Sequence, residues 1–239
     1  MSYSSLVVIT SDYYGKEKEI FRNSWLFSPI IWDVLAEKYI PYEELFKYGF
    51  KRNIIRDRKL SEELNNIING CQDTPDRILW ELSNQQIFFT KDKDFIEECI
   101  YAFLKQNENY CTDYDSENHI PILKVKHILE RFCDIAHHIK LLEAEETPYF
   151  VFKNTSVDDS VSNWFSCFNE NTGKWDYSKL SENKEFCSEF VVIEDNKIKQ
   201  FISNLDYKYQ GKNNVESEVI QNVHASNKHR KSAGKLLRT

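Results

Sequence analysis

The sequence predicts an α+β fold, with a helical N-terminal half followed by an antiparallel sheet in the C-terminal half. Up to about residue 146, apolar residues recur at the spacing of amphipathic helices. After Pro148, short β-branched and aromatic runs alternate with clusters of Asn, Asp, Ser and Gly. Hydrophobic residues make up 41% of the chain, with only 6 Gly and 5 Pro, so a core can be buried without disulfides or metals.

The helical half begins with a strand in SSLVVIT, which is short and β-branched. Ser28-Pro29 and Thr74-Pro75 each place a capping side chain before a proline that begins a helix. The apolar spacing then predicts helices near 29–39, 42–48, 61–69, 75–84, 92–106 and 121–143.

The C-terminal half contains runs typical of strands, with a turn at 169–174 and a tight hairpin at Asp195-Asn196. These runs are YFVF (149–152), VSNWFSCF (161–168), EFVVIED (189–195) and KIKQFI (197–202). No aromatic residue follows Tyr209. We therefore predict a mainly helical region with a short N-terminal strand in 1–146, and an antiparallel sheet region in 147–210 packed on it as one domain. A basic, mobile tail is predicted for 211–239.

Two features of the sequence favour a cytoplasmic protein. No basic, apolar leader precedes residue 20, and no stretch approaches 18 uninterrupted apolar residues, so we expect neither a signal peptide nor a membrane span. The six cysteines are scattered singly, without a CxxC pair, and we interpret them as reduced core thiols.

Charge is distributed unevenly along the chain. The net charge is −7, yet no acidic residue follows Glu218, while five Lys or Arg do. Residues 1–218 therefore carry 26 basic against 38 acidic side chains, a net charge of −12. Such a body repels phosphate backbones and attracts basic proteins. Nucleic acid is expected to bind at most weakly, through the basic segment 228–238, which has no aromatic residue for base stacking.

The stretch RFCDIAHHIKLLEAEE (131–146) contains the residues most suggestive of chemistry. Apolar residues recur here every three or four positions, which predicts a helix with one buried face. They are Val125, Ile128, Phe132, Ile135, Ile139 and Leu142. Arg131 and His138 lie along one flank of that stripe, Asp134 reaches His138 at the i+4 spacing, and His137 points away from the core. The simplest interpretation is a helix flank whose polar side chains pair with each other and with water.

An Arg followed by a His after a few residues is similar to the signature of HEPN-type ribonucleases, and both Arg131–His137 and Arg131–His138 fit this spacing. The resemblance implies that Arg131 would steady a phosphate and that a histidine would serve as acid or base. It covers seven or eight residues, and Phe132 stands where the family has a polar residue. A metal site on Asp134 and His138 lacks a strong third ligand, so we expect no metal.

Other catalytic signatures do not appear in the sequence. It contains no nucleotide-binding Gly loop, no GxSxG elbow and no GxxxxGK[ST] motif. The segment 113–124 departs from a calcium loop at Asn118 and Lys124. We accordingly expect no cofactor.

Two segments combine features of a protein-binding surface. NENYCTDYDSEN (107–118) places tyrosines among carboxylates, which grip Arg and Lys well, although a solvated loop would have the same composition. WFSCFNENTGKWDY (164–177) is apolar on both faces of a predicted hairpin, so one face is covered either by helices or by a partner. The partner-binding candidates are Asp113, Tyr114, Asp115, Glu117, Trp164 and Trp175.

Two classes of function remain after these exclusions. The first is an acidic cytoplasmic inhibitor that masks a basic partner surface, such as a bacterial immunity protein that neutralises a nuclease toxin, or a phage-encoded inhibitor of a defence effector. The second is a HEPN-like ribonuclease that uses Arg131 and His138. The sequence favours binding over catalysis.

Overall fold

The computed structural model describes residues 3–11, 13–54, 56–107, 125–155, 166–169, 171–177 and 188–203. These ranges contain helices and strands of an α+β protein. The helices are α1 (Ser28–Tyr39), α2 (Tyr42–Leu45), α3 (Arg58–Gly70), α4 (Thr74–Ser83), α5 (Lys93–Gln106) and α6 (Val125–Lys140). The strands are β1 (Tyr3–Ile9), β2 (Gly15–Arg22), β3 (Ile87–Phe89), β4 (Tyr149–Thr155), β5 (Ser166–Asn169), β6 (Lys174–Tyr177), β7 (Glu189–Glu194) and β8 (Lys197–Ser203).

Six of these strands form one sheet in the order β2-β1-β4-β3-β7-β8, and β5 and β6 form a separate hairpin. Neighbours in the large sheet are antiparallel except β3 and β7, which run parallel, so the sheet is mixed. The turn between β7 and β8 is the expected tight hairpin, since Asp195 and Asn196 both have positive φ, the conformation that two-residue hairpin turns require.

The sheet differs from the sequence-based prediction in two respects. It draws strands from both halves of the chain, because β1 and β2 precede the helices and β3 lies between α4 and α5. It is mixed rather than antiparallel, because β3 pairs with β7 in parallel. The strand β2 was not predicted, since its sequence GKEKEIFR is rich in Lys and Glu. This composition is typical of an exposed sheet edge, where charged side chains discourage pairing with other chains.

Side chains from the two faces of the sheet enter two separate hydrophobic clusters. Leu6 and Val8 of β1 join the main core, to which α1 and α3–α6 contribute their apolar faces. Val7 and Ile9, which alternate with them along the strand and so face the other side of the sheet, join a smaller cluster with residues of β3, β4 and β7. This alternation follows the two-residue period of a strand and explains why β1 reads as a continuous apolar run.

The helix caps differ in detail from those predicted. The α4 helix is capped by Asp73, whose carboxylate accepts a hydrogen bond from the Asp76 N–H, rather than by Thr74. The hydroxyl of Ser28 does not cap α1 and instead donates to Asn154 of β4. The prolines that follow Ser28 and Thr74 do lie in the first turn of their helices, as expected.

The stripe predicted on α6 is buried at Ile128, Phe132, Ile135 and Ile139, and also at Leu142 just beyond the helix, while the side chain of Val125 lies outside the described residues. Of the cysteines described, Cys99 is buried, whereas Cys133 is exposed, so the prediction that the thiols belong to the core is wrong at Cys133.

None of the helices in the described ranges has the length and apolar character that crossing a bilayer requires. The segment 211–239 lies outside these ranges, so the predicted tail stays a prediction.

Candidate functional site

The flank of α6 contacts the edge strand β2 through Arg131. Its guanidinium donates a hydrogen bond from Nη1 to the backbone carbonyl of Arg22 at 2.7 Å. The same group lies over the ring of Phe21, with 5.4 Å between the guanidinium carbon and the ring centroid. Burial lowers the pKa of Arg131, although a guanidinium stays charged at any physiological pH. Arg131 thus joins α6 to β2.

His138, two turns along α6, contacts the same Phe21 ring edge-to-face at a centroid distance of 5.5 Å. Its Nδ1 lies 3.4 Å from a carboxylate oxygen of Asp134 and 2.9 Å from the Asp134 carbonyl. Its Nε2 lies 3.5 Å from the carboxylate of Glu19 on β2. The predicted proximity of His138 to Asp134 is confirmed. So is the exposure of His137, whose ring contacts that of His138 edge-to-face.

These polar contacts join α6 to β2. A ribonuclease would need its Arg to face a phosphate, whereas the guanidinium of Arg131 lies over the Phe21 ring and bonds to the backbone of β2. The carboxylates of Asp134 and Glu19 also flank His138 and would repel a phosphate. Within the described ranges, no group of three or more His, Cys, Asp and Glu side chains converges as metal ligands would.

Most of the predicted partner-binding residues cannot be placed. Asp113, Tyr114, Asp115, Glu117 and Trp164 lie outside the described residues. The backbone of Trp175 is in β6, paired with Phe168 of β5, but its side chain also lies outside them. Their role in binding a partner therefore stays a prediction.

A different aromatic surface follows α1, in the segment Tyr42–Phe50, which we call the aromatic loop. Tyr42 stacks on Phe46 with 4.5 Å between ring centroids and 24° between planes. Tyr48 packs against Phe50 at 6.2 Å. Tyr42, Tyr48 and Phe50 are nevertheless 69%, 65% and 64% exposed, respectively, the highest values among the exposed large hydrophobic residues of the described ranges. Aromatic side chains are enriched at protein interfaces, so this surface is a candidate binding site.

Backbone and side-chain hydrogen bonds hold the aromatic loop in shape. The N–H of Arg52 donates to the carbonyl of Leu45 at 2.8 Å, and the N–H of Gly49 donates to the carbonyl of Phe46 at 2.9 Å. Gly49 has φ +77°, a left-handed conformation that costs other residues free energy. Leu45 is buried in the core and anchors the start of the turn. The rings are thus exposed but attached to a fixed backbone.

The side chain of Arg52 strengthens this closure. Its Nε donates to Asp57 at 2.7 Å, and its Nη1 donates to the carbonyl of Glu44 at 3.3 Å. Asp57 in turn caps α3 by accepting from the Leu60 N–H. The hydrogen bond from Arg52 lowers the pKa of Asp57 and raises that of Arg52, so both groups are charged at neutral pH.

Charged groups of both signs surround the aromatic loop. Lys47 bonds to Glu44 at 3.2 Å, and Lys51 bridges Glu37 and Asp33 of α1. Burial raises the pKa of Asp33, an effect that Lys51 partly opposes. Glu43 is exposed and forms no salt bridge within the described residues. Arg52, Arg56 and Arg58 follow the loop, so its rings lie among charges of both signs.

The sequence predicts a helix over 42–48, and for that reason this surface was missed. The actual helix α2 ends at Leu45, and the turn at Gly49 places the later rings outside the core. The available signal was the density of aromatics, four in nine residues, ending in a Tyr-Gly-Phe that no helical spacing accommodates.

A second polar cluster lies between α1 and α4 and is buried. The carboxylate of Asp76, fully buried, accepts hydrogen bonds from Lys38 and from the hydroxyl of Tyr39, both at 2.6 Å. The same hydroxyl lies 3.0 Å from the thiol of Cys71. Burial and the bond to Asp76 raise the pKa of Tyr39, so the phenol stays protonated. Every strong donor here has an acceptor within the protein, which indicates a structural role.

An open cleft of about 370 Å³ lies where β1 and β2 meet the segment after α6. Lys16 and Lys18 line one side, and Glu143 and Glu146 line the other. Both lysines and both glutamates are exposed to solvent. Charges of opposite sign on a wet surface select no particular ligand, so this cleft supports no function.

No family model matches the chain, and neither a curated protein nor a solved structure does.

Proposed function

We propose that the chain is an acidic cytoplasmic inhibitor that binds a basic protein and masks its surface. The observation that carries this proposal is the aromatic loop, where Tyr42, Tyr48 and Phe50 are about two-thirds exposed on a backbone fixed by hydrogen bonds. A fixed loop loses little conformational entropy on binding, and aromatic residues are the commonest anchors of protein interfaces.

Charge is the second support. The net charge of −12 over residues 1–218 would attract a basic partner from a distance and accelerate encounter. The predicted surface made by Asp113, Tyr114, Asp115, Glu117, Trp164 and Trp175 has the same chemistry and remains part of the proposal. Removing the charges of Asp113 and Asp115 should slow association with the partner, whereas truncating Trp164 should shorten the lifetime of the complex.

The class of partner follows from this chemistry. A nuclease toxin or a defence effector has a basic surface for nucleic acid, and an acidic protein that covers it blocks the substrate. The chain would then act as a bacterial immunity protein or as a phage-encoded inhibitor. The proposal includes no cofactor, no membrane contact and no nucleic acid beyond weak binding through the segment 228–238.

The test is a purified complex with the product of the neighbouring gene, because toxins and their inhibitors are commonly encoded side by side. We expect a stoichiometric complex on size-exclusion chromatography, and loss of the partner's activity when the chain is added. A partner that stays active and elutes alone would contradict the proposal.

The alternative, a HEPN-like ribonuclease, rests on the spacing of Arg131 and His138. The bond from Arg131 to the Arg22 carbonyl and the carboxylates beside His138 argue against it. RNA cleavage lost in both Arg131→Ala and His138→Ala would establish it instead.

A further inference from the structure

We infer that the segment 156–188, which joins β4 to β7 and contains the hairpin β5–β6, covers the face of the six-stranded sheet opposite the helices. The aromatic positions of the hairpin then pack on that face, inside the chain. The inference goes beyond the proposed function and bears on it at one residue, because a Trp175 enclosed in this way does not also meet a partner.

The face opposite the helices carries a buried hydrophobic cluster, which we call the second-face cluster. It consists of five side chains that are at most 1% exposed: Val7, Ile9, Ile87, Val151 and Phe190. None of the described helices contributes a residue to it. Side chains on an uncovered sheet face remain in contact with water, so a further layer of protein must lie over this cluster.

The path of the chain favours the connection between β4 and β7 as this layer. Val151 of β4 and Phe190 of β7 both pair with Ile87 of β3, the first antiparallel and the second parallel. The end of β4 at Thr155 and the start of β7 at Glu189 therefore lie at the same end of the sheet, about 10 Å apart across one intervening strand. The 33 residues between them are far more than this gap requires. They are long enough to fold back over the sheet, and the helices occupy its other face.

The hairpin within this connection has the matching chemistry. Its register pairs Phe168 with Trp175 and, two residues along, Ser166 with Tyr177. Paired residues share a face and successive residues alternate, so the three aromatic positions belong to one face of the hairpin. The other face has mainly polar positions: Cys167, Asn169, Lys174 and Asp176. Packing the aromatic face on the second-face cluster removes both from water.

The dimensions of the hairpin and the cluster are compatible. The cluster extends across β1, β4, β3 and β7, four adjacent strands that span about 14 Å. The strands β5 and β6 have four residues each and are therefore about 13 Å long. A hairpin of this length that crosses the strands covers the cluster from β1 to β7.

Other parts of the chain fit this position less well. Residues 108–124 join α5 to α6, and both helices send their apolar side chains to the main core on the opposite face. Residues 204–239 contain only Tyr207 and Tyr209 as aromatic residues. A second copy of the chain is the remaining candidate, and its cover would be lost on dilution.

Hydroxyl-radical footprinting of the full chain, read by mass spectrometry, measures the burial directly. Each side chain is compared with the same residue in the chain unfolded in urea, which removes differences in intrinsic reactivity. Tyr48 and Phe50, 65% and 64% exposed, are the internal controls. Relative to them, we expect Phe168, Trp175 and Tyr177 to be protected from oxidation by about fivefold or more, at high and low protein concentration alike.

A double-mutant cycle tests which face the hairpin covers. Val7 and Val8 are consecutive on β1 and at most 3% exposed, but only Val7 belongs to the second-face cluster. Trp175→Phe and Val7→Ala together should lower Tm by less than the sum of the two single changes, with a shortfall of about 3 °C or more, because residues in contact are coupled. Trp175→Phe with Val8→Ala is the matched control and should be additive within about 1–2 °C.

Three results would overturn the inference. Hairpin aromatics oxidised as readily as Tyr48 would place them on the surface, and this reading of the wild type decides even if a variant fails to fold. Protection that falls on dilution would assign the cover to a second copy. Additive changes with both valines, or coupling to Val8 alone, would place the hairpin elsewhere.

Neither measurement involves a partner, so their outcome is separate from that of the inhibitor proposal. A freely oxidised Trp175 would end this inference and leave Trp175 a candidate for binding the partner. A protected Trp175 in a chain that fails to inhibit the neighbouring gene's product would leave the covered sheet standing without the inhibitor function.

Discussion

The N–H of Arg52 donates to the carbonyl oxygen of Leu45 at 2.8 Å, and this bond closes the chain around Tyr48 and Phe50. Two exposed rings are thereby attached to a backbone whose ends are fixed in the core at Leu45 and Ile54. The backbone that carries these rings is therefore held in place before any partner arrives.

Arg52→Ala should loosen this loop. The change removes the hydrogen bonds to Asp57 and to the Glu44 carbonyl, which should cost about 1–3 kcal/mol of stability because the arginine is charged and its side chain is mostly buried. We expect faster hydrogen exchange at the amides of Gly49 and Arg52 and weaker partner binding. Arg58→Ala, which breaks only an exposed pair with Glu62, is the control. Equal exchange in both variants would show that the side chain does not hold the loop.

Asp76→Ala should be among the most destabilising single changes in the described core. It removes the acceptor that the ammonium of Lys38 and the hydroxyl of Tyr39 share, while Asp73, 3.6 Å from that ammonium, keeps part of the charge pairing, so we expect a loss of about 2–3 kcal/mol. Urea unfolding measures the change. Glu62→Gln, at an exposed pair, should cost less than about 0.5 kcal/mol. Similar values for the two variants would contradict a structural role for the cluster.

Asp92 should make stability depend on pH. Burial raises its pKa to about 6 from the usual 3.8, and one carboxylate oxygen has no partner within the described residues. The folded protein therefore holds this proton more tightly, so the free energy of unfolding should fall as the pH rises from about 4 to about 6. Asp92→Asn should be the more stable form at pH 7 by about 1 kcal/mol after allowance for partial exposure, and the advantage should vanish below about pH 4. Unfolding curves across this range that show a constant difference would rule out the effect.

Arg131→Ala should lower the free energy of unfolding, because the Arg131 side chain joins α6 to β2. We expect no ribonuclease activity in the wild type, so the variant should lose none. We expect a loss of about 1–3 kcal/mol from the carbonyl bond and the Phe21 contact. A labelled single-stranded RNA incubated with the wild type, Arg131→Ala and His138→Ala should stay equally intact in all three. Cleavage by the wild type alone would support the ribonuclease alternative.

The helices were largely predictable because each buries a continuous apolar stripe that the sequence displays. The prediction of 121–143 for α6 overlaps the observed Val125–Lys140, and its buried positions agree. The pairing of β1 with β4 joins residues about 150 positions apart, and no local pattern specifies it. The strand β3 has only three residues, Ile87–Phe89, too few for a period to appear. Its parallel pairing with β7 was for the same reason unpredictable.

The candidate site was predictable only in part. The i+4 spacing of Asp134 and His138 correctly placed those side chains together. It did not reveal that Phe21 and Glu19, more than a hundred residues earlier, complete the contact. The aromatic loop was missed because its exposure depends on one glycine turn and one backbone bond, which leave no periodic trace in the sequence.

The most direct test of the account is the kinetics of complex formation between the chain and the neighbouring gene's product, measured at two salt concentrations. We predict that association slows with salt, because exposed charges are screened beyond about 8 Å at physiological ionic strength. We also predict that Tyr48→Ala with Phe50→Ala speeds dissociation by the equivalent of roughly 2 kcal/mol, while Tyr101→Ala leaves both rates unchanged. Association that ignores salt, together with a loop variant that dissociates like the wild type, would contradict the claim that an acidic chain captures a basic partner through its aromatic loop.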